Sequence, residues 1–151
     1  MADCRVFAAG LLLAAAGLDI RSRRVPNLVS ILLLATGLVA DWLRPDGPSP
    51  AAGLLAATIV LVVGFGLFQT GMLGGADVKL MVGTAAWLGL PRLGTLLLGT
   101  ALAGGVVSLA TLAFAGLCRR SASAPGKSIE VPYAVAIAIG GIGALYFKPF
   151  E

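Results

Sequence analysis

Apolar residues run along this chain in long blocks separated by short polar breaks, and each block predicts a helix. The first block, Val6 to Leu18, is rich in Ala and Leu and is expected to continue past Asp19, because a membrane crossing takes about 20 residues. Reading it as a cleaved secretory signal, with Ala14-Ala15-Ala16 as the cut site, conflicts with Arg21, Arg23 and Arg24 directly after it. Pro26 sets the next boundary and suits the first turn of a helix. Leu28 to Leu43 is the second block, and Asp41 to Pro50, with its prolines and glycine, predicts a loop. Ala51 to Phe68 is the third block and Gln69 to Gly75 a glycine-rich break. Val78 to Leu90 is short, covering roughly 20 Å of a hydrocarbon core about 30 Å thick, unless its helix begins nearer Met72. Pro91-Arg92 marks a turn, Leu93 to Leu117 is a long fifth block, Arg119 to Glu130 a polar loop, and Val131 to Phe147 the sixth block.

Composition turns these helices into membrane spans. Of 151 residues, 58% are hydrophobic and only 12% charged, with a mean hydropathy of +0.98. A soluble domain carries about 25% charged residues, so this chain lacks the means to cover a water-facing surface. The expected fold is all-α: a single membrane-embedded domain over residues 1–151, with about six transmembrane helices. The absence of histidine excludes Ser-His and Cys-His catalysis and histidine metal sites. Cys4 and Cys118 have no metal-ligand spacing, so no metal and no cofactor is expected. The net charge of +4 is read as topology and not as affinity for nucleic acid.

With six spans, Arg21, Arg23, Arg24, Lys79, Arg119, Arg120 and Lys127 share one side, and Arg5, Arg44, Arg92 and Lys148 the other. The positive-inside rule makes the first side cytoplasmic and both termini external. Asp19 and Asp77 then fall near the same, cytoplasmic, face. Trp42 suits the headgroup level. Cys4 and Cys118 lie on opposite sides and are not expected to form a disulfide.

Acids at the edge of apolar blocks are costly and need a reason. Asp19 could balance Arg21 or Arg23 at the surface, and Asp77 could simply cap the fourth helix. Asp3, Asp41 and Asp46 sit in outward polar stretches and read as solvated. Lys79 and the arginines read as topology determinants. Lys79 is two residues from Asp77 and off its helix face. Read together, Asp19 and Asp77 form a carboxylate pair. Two neighbouring carboxylates share a proton, so one can activate water while the other donates to a carbonyl oxygen. That suffices for amide hydrolysis without histidine, metal or covalent intermediate.

Three stretches carry a resemblance. Asp19 to Asn27 (DIRSRRVPN), Gly74 to Leu80 (GGADVKL) and Val131 to Ala138 (VPYAVAIA) together resemble, in order and spacing, the type IV prepilin peptidases. These are GxGD-type membrane aspartyl proteases of about six helices, and the closest likeness is to the short form of Tad/Flp pilus systems. The resemblance makes Asp19 and Asp77 the catalytic pair, with Pro26, Asn27, Gly74, Gly75, Ala76, Lys79, Pro132 and Tyr133 binding substrate or supporting the site. It implies an aspartic endopeptidase of the bacterial inner membrane, working at the cytoplasmic face. The substrate is a prepilin or pseudopilin with a basic leader and a hydrophobic helix, typically cut after a glycine. Membrane lipid is a partner and nucleic acid is not. Ala76 stands where the family usually has glycine, a change tolerable at negative φ. Long family members add a cysteine-rich zinc module and N-methylate the new pilin terminus; without that module, no methyltransferase activity is expected here.

Two readings of other classes stay open. A small proton- or ion-coupled transporter could use the same carboxylates, although such acids belong near the bilayer midplane. A non-catalytic assembly subunit could use its small-residue faces for packing. Lipoprotein signal peptidases also use two membrane aspartates, but they cut at the outer face.

Overall fold

The computed structural model describes residues 2–22, 25–43, 49–119 and 133–147. The described residues form six α-helices: α1 (Ala2–Ser22), α2 (Asn27–Leu43), α3 (Pro50–Gln69), α4 (Gly75–Leu88), α5 (Leu93–Arg119) and α6 (Tyr133–Tyr146). A 3-10 turn, Leu90–Arg92, joins α4 to α5.

Local chemistry sets several of these ends. Ser49 caps α3, its Oγ accepting from the Ala52 N–H at 3.2 Å, with Pro50 in the first turn where its missing N–H does no harm. The α3–α4 connection turns at Gly71 (φ 74°), and α4 stops at Gly89 (φ 63°), both backbone conformations that favour glycine. The expected Asp41–Pro50 loop is shorter than read. Asp41–Leu43 still belong to α2, and Pro50 already begins α3. Residues 44–48 lie outside the described residues, as do Arg23, Arg24 and the Arg120–Glu130 part of the expected loop. The fourth helix begins at Gly75, between the two starts considered for it, so Asp77 is its third residue and Gly74 its N-cap.

α4 is the hub. It packs most extensively on α2 and α3, and also on α6, while α6 lies mainly against α5 and α1. Leu12, Leu33, Leu80, Leu88, Leu96, Ile137 and Thr84 are fully buried between these helices. Small residues allow the close approaches. A Cβ on Gly140 would stand 2.5 Å from the Thr100 backbone nitrogen, so α5 and α6 meet backbone to backbone. Trp87, from α4, donates its Nε1–H to the Leu33 carbonyl of α2 at 2.8 Å.

The outer faces are apolar. Leu102, Val106, Leu109 and Phe114 on α5 are each about 70% exposed, and α3 exposes Leu54, Val62 and Phe65. Two described helices are long and apolar enough to cross a membrane, Ala51–Gln69 and Leu90–Phe114. Only 28% and 17% of their apolar windows are buried inside the protein, unlike the core helix of a soluble domain. Asn27–Ala40 and Tyr133–Tyr146 are apolar but shorter.

Candidate active site

Asp77 owes its position to the start of α4. Gly74, in extended conformation (φ −73°, ψ 142°), is the N-cap, and Asp77 is three residues on. A carboxylate at that position can reach back to the amide of the cap. The structure has this form: Asp77 makes a backbone hydrogen bond at Gly74, and its Oδ2 lies where a Cβ on residue 74 would come within 2.7 Å. The first glycine of the motif therefore leaves room for the acid. Gly75 faces the Phe68 ring of α3, where a Cβ would sit 3.3 Å from Cε2. Ala76 points outward and is exposed. It lies within the first turn of α4 and not at either positive-φ glycine, so its methyl group is accommodated.

Asp19 lies in the last turn of α1. Its Oδ2 accepts a hydrogen bond from the main-chain N–H of Ala134, the second residue of α6, at 3.1 Å. Each acid is thus tied to the first turn of a helix, where unpaired amides and the positive end of the helix dipole favour a carboxylate.

Asp77 senses the charge of Asp19. Asp77 lies outside the apolar segments named above. Burial, and after it the negative charge of Asp19, push the Asp77 carboxyl from 3.8 up to about 6, while the hydrogen bond at Gly74 pulls it down. Raised acids of this kind recur at catalytic sites. Among the described residues no three histidine, cysteine or carboxylate side chains gather as a metal site.

The other expected residues divide. Lys79 Nζ donates to Asn27 Oδ1 at 3.0 Å, joining α4 to the start of α2, and both line an apolar cavity of about 320 Å³ with Ile31, Leu34 and Val82. Pro26 precedes α2 without entering it, and its carbonyl accepts from the Val29 N–H at 3.1 Å. Tyr133 packs on α5, its ring against Gly104. Pro132 lies outside the described residues. The Ala134 amide escaped the sequence reading, because a main-chain donor has no letter of its own.

The described residues are helical with apolar outer faces, and two carboxylates, Asp19 and Asp77, each accept a hydrogen bond from the main chain at the start of a helix. Residues 6–109, more than half of the chain, match the type IV leader peptidase family, and the chain belongs to that family. It is a protease of the prepilin leader peptidase type. No curated protein and no solved structure matches it.

Proposed function

We propose that this chain is an aspartic endopeptidase in which Asp19 and Asp77 together hydrolyse the leader peptide bond of an Flp-type prepilin or pseudopilin. The observation that carries the reading is that burial, and after it the charge of Asp19, raises the Asp77 carboxyl, so that Asp77 can hold the proton that such a pair must donate. The ionised member takes a proton from water. The water oxygen then adds to the scissile carbonyl, and the protonated member donates to the carbonyl oxygen. Collapse of the tetrahedral intermediate breaks the C–N bond as the leaving nitrogen takes up a proton. No covalent enzyme intermediate is needed.

The apolar faces support a multi-pass protein of the bacterial inner membrane, and the distribution of cations supports a site at the cytoplasmic boundary. A substrate with a basic leader and an apolar helix would lie across that boundary. N-methylation is not part of the proposed activity.

The test is co-expression with an Flp-type prepilin. Mass spectrometry of the pilin should show loss of the leader and a free, unmethylated new N-terminus. An uncut prepilin beside a correctly inserted enzyme would contradict the assignment.

A further inference from the structure

α6 is gripped at both ends by groups from other elements. At its start the Ala134 amide donates to Asp19 of α1. At its end Arg92 Nη1 donates to the carbonyls of Ala144 and Leu145, at 3.2 and 3.0 Å. Between these points the helix has no slack. A Cβ on Gly141 would meet Leu12 of α1 at 3.0 Å and Thr84 of α4 at 2.9 Å. α6 is therefore a fixed reference against which α1 and α4 are both set. Asp19, near the end of its own helix, has a side chain free to rotate about two bonds unless something outside α1 holds it. The group that does so is an amide that α6 itself has no use for, since the first-turn N–H groups of a helix lack partners within it.

We propose that the main-chain amide of Ala134 is a positioning group of the active site: it fixes one carboxylate oxygen of Asp19 and leaves the other free to face water and Asp77. This rests on the reading of Asp19 and Asp77 as the catalytic pair. The role belongs to the backbone, so it is independent of the buried methyl side chain at 134.

Proline tests it, because proline deletes the N–H and is tolerated in the first turn of a helix. Ala134→Pro should lower kcat for leader removal about 10- to 100-fold, the loss of one hydrogen bond to a charged acceptor, with KM little changed. Val135→Pro deletes the neighbouring first-turn amide and should retain kcat within about threefold. Equal kcat in the two proline variants would overturn the proposal. Should Ala134→Pro fail to accumulate in the membrane, the full chain in detergent micelles decides. The Ala134 amide proton should move upfield in Asp19→Asn, and by more than any other amide of α6. An unmoved resonance would overturn the proposal equally. The underlying reading fails separately: full activity in Asp19→Asn removes the catalytic pair, whereas an inactive Asp19→Asn beside a fully active Ala134→Pro removes only the role of the amide.

Discussion

A Cβ on residue 74 would stand 2.7 Å from Oδ2 of Asp77, closer than real side chains approach. The backbone of Gly74 is one that alanine adopts freely, so in Gly74→Ala the group that must yield is the Asp77 carboxyl. A displacement of this size at a reacting group is worth about 100-fold in rate. Gly74→Ala is therefore expected to cut prepilin processing about 10- to 100-fold while leaving thermal stability nearly unchanged. Ala76→Gly, at an exposed position two residues on, should leave processing within about twofold, since only a small helix-propensity loss is involved. Processing rates of the two variants in membranes check both statements.

The raised Asp77 carboxyl predicts a pH dependence with a definite sign. The folded protein binds this proton more tightly than the unfolded chain, so this group's contribution to stability falls as pH rises from 3.8 to about 6. Acting as proton donor, Asp77 is competent below that upper value, and processing should decline as pH rises through about 6. The infrared carbonyl band of the protonated carboxyl should disappear over the same interval. In Asp19→Asn one of the two raising causes is gone, and the disappearance should move to lower pH. A band lost near 3.8 in both proteins would contradict the coupling.

One aromatic side chain ties the middle of α2 to α4. Trp87 is buried, donates to the Leu33 carbonyl, and lies so close to Gly37 that a Cβ there would meet its Cδ1 at 2.8 Å. Trp87→Phe loses the donor and some volume and should destabilise by about 1–3 kcal/mol. Gly37→Ala forces the helices apart and should cost about 1–3 kcal/mol through overpacking. Denaturant midpoints in detergent measure both, and an unchanged midpoint for Gly37→Ala would contradict the close packing.

The helices were largely legible because apolar blocks are long and their breaks are built from Pro and Gly. Where the reading slipped, backbone chemistry outweighed side-chain polarity. Asp41 stayed helical because no proline interrupts α2 between Asn27 and Leu43. α4 began at Gly75 because the extended Gly74 can cap it, which drew Asp77 into the first turn. Pro91-Arg92 read as a turn and is one, but only the fold shows Arg92 reaching the end of α6.

At the site, acidic letters beside apolar blocks were conspicuous, and Asp19 and Asp77 could be picked out for that reason. Their surroundings were not visible. Lys79 and Asn27 are 52 positions apart and nothing local announces their bond. The Asp19–Ala134 bond spans 115 positions and ends on a backbone amide, which leaves no trace in composition or spacing. The Tyr133 ring packs on Gly104 of α5, a contact 29 positions away that the sequence does not announce.

The central claim is that Asp19 and Asp77 act as one catalytic unit, and leader removal from a co-expressed prepilin by single Asn variants tests it most directly. Asp19→Asn and Asp77→Asn keep the size of each side chain and remove its ability to exchange a proton. Each variant should insert normally and lower processing by about 10⁴-fold or more, and the double variant should be no worse than either, because members of a unit are not additive. Processing at the wild-type rate by either single variant would contradict the account.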